Sequence, residues 1–328
     1  MAEFKDVVGH EQVIQHMQNA IRQKKISHAY LLCGEAGSGK RLVAEAFAKT
    51  ILCEEGGIEA CGKCKSCKQA ESGNHPDFRI VVREKATLGV KEIREQVTGD
   101  VQIKPYSSAY KIYLIDEAEK MTEEAQNALL KTIEEPPEYA VFLLSVTRQE
   151  LLLQTVLSRC VLLPFYPVAP EKIKRFLMEK RGVPDYLAES AAAFAGGLVG
   201  RAVQYAESES FIEQRNDVLH LVKYIDDMTM AEVMENVKLF ASKKDVATEY
   251  LDLILMWYRD VLMYKATKNV NALMFMDELE AVSAQAGKRS FENLQGIVEA
   301  LEQVKQRLKS NVNFENAVEL LLLYMKEV

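Results

Sequence analysis

The chain has 328 residues, more than one ordinary core accommodates and enough for two or three domains at roughly 100–200 residues each. Its 41 basic and 48 acidic residues leave a net charge of −7, which argues against a free-standing nucleic-acid-binding protein and leaves any such contact local or supplied by partners. No apolar run of signal-peptide type follows "MAEFKDVVGHEQ", and no stretch approaches the ~18–20 apolar residues of a membrane span, so a cytoplasmic protein without membrane contact is expected.

Helical periodicity predicts a helix over 10–24, followed by a strand in "HAYLLCG" (28–34) and a helix over 39–53. The order continues with a strand in "DFRIVV" (77–82), a helix over 90–99, a strand in "KIYLIDEA" (111–118) and a helix over 121–134. "YAVFLLSV" (139–146) and "CVLLPFYP" (160–167) complete the strands. Unalternated runs of Leu, Ile and Val fit strands covered on both faces, so residues 1–167 read as an α/β domain with a largely parallel sheet.

After Pro164, Pro167 and Pro170 the strand signals stop. A short helical unit is expected over 168–208, broken by Gly182, Pro184 and the "GGLVG" at 196–200. From 209 to 328 the pattern is helical throughout, giving an α/β followed by all-α fold class. Its best segment, 288–308, puts Phe291, Leu294, Ile297, Leu301, Val304 and Leu308 on one face, a stripe suited to core or subunit packing.

Three stretches carry nucleotide chemistry. In "GEAGSGKR" (34–41), Gly34, Gly37 and Gly39 with Lys40 have the form of a phosphate-cradling loop between a strand and a helix, whose backbone N–H groups favour an anion. The hydroxyl residue that would hold magnesium is replaced by Arg41. A guanidinium about 5 Å from Mg²⁺ costs roughly 5–8 kcal/mol at an effective dielectric near 20, unless the long side chain swings into solvent. In "IYLIDEAEKM" (112–121), Asp116 and Glu117 close a strand, the pair that in phosphate-loop NTPases supports magnesium and orients the attacking water. In "LSRC" (157–160), Arg159 is either a solvated surface charge or an arginine finger aimed at a neighbour's triphosphate.

Cys53, Cys61, Cys64 and Cys67 form a C-x7-C-x2-C-x2-C cluster. Two-residue gaps let consecutive thiolates turn toward one ion, which predicts a closed structural Zn²⁺ site with no position left for catalysis. The module would be an insertion at about 53–75, either stabilising a loop too short to fold alone or offering a docking surface with Lys63, Lys65 and Lys68. His75 is near enough to be a fallback ligand, but with four thiolates available it reads as a loop residue before Pro76.

In this order, these motifs resemble the clamp-loader branch of the AAA+ ATPases. The stretches that carry the resemblance are "HAYLLCGEAGSGKR" (28–41), the cysteine cluster, "IYLIDEAEKMTEEAQNALLKTIEEPP" (112–137) and "FLLSVTRQELLLQTVLSRC" (142–160). The C-terminal half rests on its length, its helical character and "NVNFENAVELLLLYM" (311–325), which looks like the close of a helical collar. The resemblance implies a RecA-like module, a small helical lid, and a collar that assembles a ring of subunits. Such a ring opens a sliding clamp and loads it on primed DNA. The implied partners are motor subunits of the tau/gamma type, a delta subunit, the clamp indirectly, and primed DNA through the complex.

Residue by residue, the resemblance makes Arg159 a trans arginine finger acting on ATP in an adjacent motor subunit. The first-sensor position falls at Val146 or Thr147 in "SVT". Motor subunits carry a second-sensor arginine in the lid, where "GGLVGRAV" here sets Gly200 with Arg201 beside it. With Arg41, this argues against ATP/Mg²⁺ hydrolysis at the chain's own site. The leading expectation is a stator-type subunit with little or no ATPase of its own. The alternatives are an active AAA+ motor subunit and a zinc-dependent nucleic-acid-binding protein. No polymerase or exonuclease carboxylate constellation occurs, so any nucleotidyltransferase label belongs to the wider holoenzyme.

Overall fold

The apolar runs form one parallel sheet in a computed structural model that describes residues 3–243, 246–308 and 314–328. Its strands are β1 (Ala29–Cys33), β2 (Phe78–Ile80), β3 (Lys111–Ile115), β4 (Ala140–Val146) and β5 (Val161–Pro164), ordered β2-β3-β4-β1-β5. Every pairing is parallel, with Leu31 opposite Leu144 on one side and Leu162 on the other. The order reverses at β1, whose neighbours are β4 and β5, and ligands of open α/β sheets bind outside the carboxyl ends of strands at such a switch point.

The first helices are α1 (Glu11–Arg22), α2 (Lys40–Leu52), α3 (Lys65–Glu71), α4 (Val90–Ile93), α5 (Glu123–Glu134) and α6 (Gln154–Leu157). Alternate strand residues feed two cores. Leu31, Tyr113, Ile115, Phe142 and Leu144 pack with Ile93, Leu129 and Ile133, while Tyr30, Leu32, Ile112 and Leu143 pack with Met17, Val43 and Phe47. Burial on both faces explains why these strands lack apolar–polar alternation. The helix expected over 90–99 changes register: α4 passes into a π-helical turn at Arg94–Thr98, closed by a Gly99 N–H to Arg94 C=O bond of 2.8 Å.

The later helices are α7 (Pro170–Arg181), α8 (Asp185–Phe194), α9 (Val199–Glu207), α10 (Glu209–Tyr224), α11 (Met230–Ser242), α12 (Ala247–Thr267), α13 (Leu279–Lys288), α14 (Phe291–Leu308) and α15 (Phe314–Glu327). The chain divides into two compact units, Met1–Phe176 with Gly196–Arg201, and Leu177–Ala195 with Ala202–Val328. The "GGLVG" turn therefore belongs to the sheet unit.

The second unit is built around α12, whose Tyr250, Ile254, Trp257 and Tyr258 are fully buried. Trp257 donates to Gln285 over 2.8 Å, so the largest core side chain leaves no polar atom unpaired. Of the predicted α14 stripe, Leu294, Ile297, Leu301 and Val304 are buried. Phe291 departs from it, 51% exposed, with its ring 5.3 Å beneath the Lys265 ammonium. The Leu308 side chain and residues 311–313 of the expected collar close lie outside the described residues. Among the described residues no helix is long and apolar enough to cross a membrane.

Candidate functional site

The glycine loop, the Asp-Glu pair and Thr147 meet at the carboxyl ends of β1, β3 and β4. Gly37 (φ 82°) and Gly39 (φ 96°) take the left-handed backbone that a side chain would strain, and Gly39 caps α2. Gly34 is glycine for space, since a Cβ there would stand 2.7 Å from Cβ of Phe165 and 2.8 Å from its carbonyl oxygen. Lys40 is buried and turns back into the loop, donating to the carbonyls of Gly34 (2.5 Å) and Glu35 (2.8 Å). Burial pulls its pKa below the usual lysine range, opposed by Glu119 and Asp116.

Gly200 N–H donates to Gly37 C=O over 2.8 Å. A Cβ at position 200 would lie 3.0 Å from that oxygen and 3.1 Å from Gly37 Cα. The backbone at 200 thus rests on the loop itself, and no side chain fits between them without displacing the loop. On another side, His10 Nε2 lies 2.9 Å from Ser38 C=O and its ring 4.5 Å from Phe165.

Arg41 does not swing free. Its Nε donates to Glu45 over 2.9 Å, and its Nη1 lies 3.6 Å from Oδ2 of Asp116. The other Asp116 oxygen accepts from Ser145 Oγ, so both oxygens of this carboxylate are engaged within the protein. Glu117 sits in left-handed backbone (φ 49°), its carboxylate 2.5 Å from Arg83 Nη2. Thr147 donates through N–H (3.1 Å) and Oγ1 (2.8 Å) to Glu119.

Arg159 follows α6. Its Nη2 lies 2.7 Å from Glu134 Oε1 at the end of α5, and its Nη1 donates to Thr155 C=O (2.9 Å) and Ser158 Oγ (3.1 Å).

The four clustered cysteines fold into one pocket of sulfur, with all Sγ atoms within 4.8 Å of one another. Cys53 and Cys64 sulfurs are 4.0 Å apart, and those of Cys61 and Cys67 3.9 Å. A tetrahedron with metal–sulfur bonds of about 2.3 Å has edges of about 3.8 Å, so the donor set fits a closed thiolate site. Backbone N–H groups point at the sulfurs: Cys61 toward Cys53 (3.4 Å), Lys63 and Cys64 toward Cys61 (3.4 and 3.3 Å), and Cys67 toward Cys64 (3.3 Å). Such donors stabilise thiolate over thiol. His75 is not among the clustered donors. It is buried, with Nε2 2.9 Å from Ser66 Oγ and Nδ1 accepting from Asp77 N–H over 3.1 Å.

Comparison with known proteins bears on this arrangement. Residues 9–169 match the family described as "DNA polymerase III, delta subunit", and 209–327 match "DNA polymerase III, delta subunit, C terminal". The chain is 32% identical to the DNA polymerase III subunit delta' of Bacillus subtilis over 319 residues, covering 96% of this chain and 95% of that protein. The chain belongs to the DNA polymerase III delta' family. As a member, it is a clamp-loader subunit with an AAA+ fold. It is also 32% identical to the tau subunit of the same bacterium, over 86% of this chain and 55% of that protein. A gamma-subunit-related structure from Thermotoga maritima is 18% identical, covering 96% of this chain and 98% of that one, with a TM-score of 0.46.

Within this delta'-family chain, Gly34, Gly37, Gly39, Lys40, Arg41, Asp116 and Glu117 converge at one end of the sheet. Arg159 and the cysteines form separate groups. Sequence reasoning missed Glu45, Arg83, Glu119 and Ser145. Only Glu45 had a local signal, its i,i+4 spacing from Arg41 on α2.

Proposed function

We propose that this clamp-loader subunit is hydrolytically silent and serves as the ring's stator, presenting Arg159 to ATP held by an adjacent motor subunit of the tau/gamma type. The observation that carries the reading is the Arg41–Asp116 pair, 3.6 Å apart where an NTPase needs a hydroxyl and a free carboxylate to hold magnesium. The contact of Gly200 with Gly37 supports it, because any side chain at the second-sensor position would press on the loop, its Cβ 3.0 Å from the Gly37 oxygen. Residues 168–208 act as the lid and 209–328 as the collar, a boundary supported by the family match that resumes at 209. A delta subunit completes the ring, and the clamp and primed DNA are reached through the complex.

In the same reading the cysteine cluster holds one Zn²⁺, bound by Cys53, Cys61, Cys64 and Cys67. When bound, the ion supplies cross-linking and no chemistry, since four thiolates leave no open position.

Two assays test the proposal. The purified chain alone should turn over ATP far more slowly than motor subunits, and turnover at motor-subunit rates that Lys40→Ala abolishes would establish an active site here instead. In a complex reconstituted with motor subunits, Arg159→Ala should depress clamp-dependent ATPase, and unchanged turnover there removes the finger role.

A further inference from the structure

A finger that acts across a subunit boundary must be held in place before the neighbour's phosphate is there to hold it. A free arginine side chain samples many rotamers, and freezing it is an entropic cost paid in the transition state unless its own subunit pays it beforehand. The surroundings of Arg159 address this requirement. Its Nη1 donates to two acceptors of its own chain, Thr155 C=O and Ser158 Oγ from the turn that launches it, and its Nη2 is ion-paired at 2.7 Å with Glu134 Oε1 from the last residue of α5. The first two are local and move with Arg159. Among the described residues Glu134 is the one partner from a different element, and α5 is anchored in the sheet core by buried Leu129 and Ile133.

Both hydrogen bonds fall on Nη1 and the ion pair on Nη2, leaving the Nε–H without a partner among the described residues. That edge of the guanidinium remains for an incoming phosphate oxygen. Both Arg159 and Glu134 side chains are over a third exposed, so the pair is a surface contact that leaves the guanidinium reachable.

Resting on the finger reading of Arg159, we infer that Glu134 is its positioning residue: the carboxylate fixes the guanidinium against α5 and orients its unused Nε–H edge outward for a neighbour's triphosphate. Glu134 itself touches no substrate. Orientation requires an oxygen beside Nη2 at this point and not a full negative charge, which separates it from a purely electrostatic effect.

The test uses the reconstituted complex with its motor subunits, clamp and primed DNA, after co-purification verifies assembly of each variant. Glu134→Ala should lower kcat for ATP about two- to fivefold with KM unchanged, the size expected for an exposed ion pair that acts only in the transition state. Glu134→Gln, whose amide oxygen can take the same place beside Nη2, should restore kcat to near the unmodified level. Arg159→Ala should lose more than either. Unchanged or faster turnover in Glu134→Ala beside a defective Arg159→Ala would overturn the positioning role and leave the finger reading standing, as would Glu134→Gln falling as far as Glu134→Ala. An Arg159→Ala complex with full activity would instead remove the finger reading.

Discussion

Arg41 Nη1 lies 3.6 Å from Oδ2 of Asp116, so a cation of the protein's own faces the carboxylate to which the phosphate-loop pattern gives the magnesium-supporting role. Two features decide the consequence. The hydroxyl ligand is missing, and the guanidinium repels a divalent ion by roughly 5–8 kcal/mol at about 5 Å and an effective dielectric near 20. With the Arg41 side chain 56% exposed, solvent screening reduces that figure, and the ion pair itself contributes at most about 1 kcal/mol to stability.

Arg41→Thr should therefore leave the fold intact and confer magnesium dependence on nucleotide binding. Titration with a fluorescent ATP analogue, with Mg²⁺ and with chelator, is the measurement. An affinity gain of at least about tenfold with Mg²⁺ is expected in the variant and not in the unmodified chain. Equal magnesium response in both proteins would mean that Arg41 does not set the metal preference.

Gly200 makes a second prediction. An arginine there would match the motor-subunit pattern, yet its Cβ would stand 3.0 Å from the Gly37 oxygen and 3.1 Å from Gly37 Cα, both backbone atoms with little freedom to move. Gly200→Ala should cost about 1–3 kcal/mol and lower the melting temperature by several degrees. Gly200→Arg should destabilise further without creating ATPase activity. A Gly200→Ala protein as stable as the original would mean the segment is free to lift off the loop.

How much of this was legible beforehand depends on the range of the interaction. Strands such as "YAVFLLSV" could be read because two-sided burial leaves an unbroken apolar run, and the clustering of the cysteines because all four fall within fifteen residues. Partners set by tertiary contact left no trace. Asp116 for Arg41, Glu119 for Thr147 and Glu134 for Arg159 are each brought close only by the sheet order and the packing of helices upon it. The exposure of Phe291 escaped for a related reason: helical periodicity marks a face but does not say where the neighbouring helices stop. His75 does lie in a loop, yet nothing near it in sequence announces its buried contact with Ser66.

Asp77 supplies the pH prediction. Burial pushes its pKa up, but N–H donors from Tyr106 (2.5 Å), Ser107 (2.8 Å) and Ser108 (2.9 Å), with Ser107 Oγ (3.0 Å), outweigh it and hold the carboxyl below the ordinary aspartate range. With the folded value depressed, the carboxylate contributes stability above the unfolded pKa of about 3.9, and that contribution disappears as pH falls through the folded value. Urea unfolding of Asp77→Asn should show a loss of about 1–3 kcal/mol at pH 7 that shrinks below about pH 4. A deficit that stays constant down to pH 3 would point to lost packing and not to the carboxylate charge.

The cysteine cluster gives the last prediction. Ser66 lies between Cys64 and Cys67 in the chain, and its hydroxyl donates to Leu52 C=O over 2.6 Å while meeting His75 Nε2 at 2.9 Å. Through it the metal module is tied to the end of α2 and the approach to β2, so losing the ion should loosen more than a surface loop. Elemental analysis should find one zinc per chain. Chelation or Cys64→Ser should remove it and lower the melting temperature by more than about 5 °C, because metal binding free energy is folding free energy in so small a module. Hydrogen exchange should then accelerate at Ser66 and Asp77 but not in β1 or β4, whose bonds lie in the middle of the sheet. A natively metal-free protein would sink the zinc reading. A zinc-loaded protein whose exchange at Asp77 ignores chelation would confine the ion's effect to the module itself.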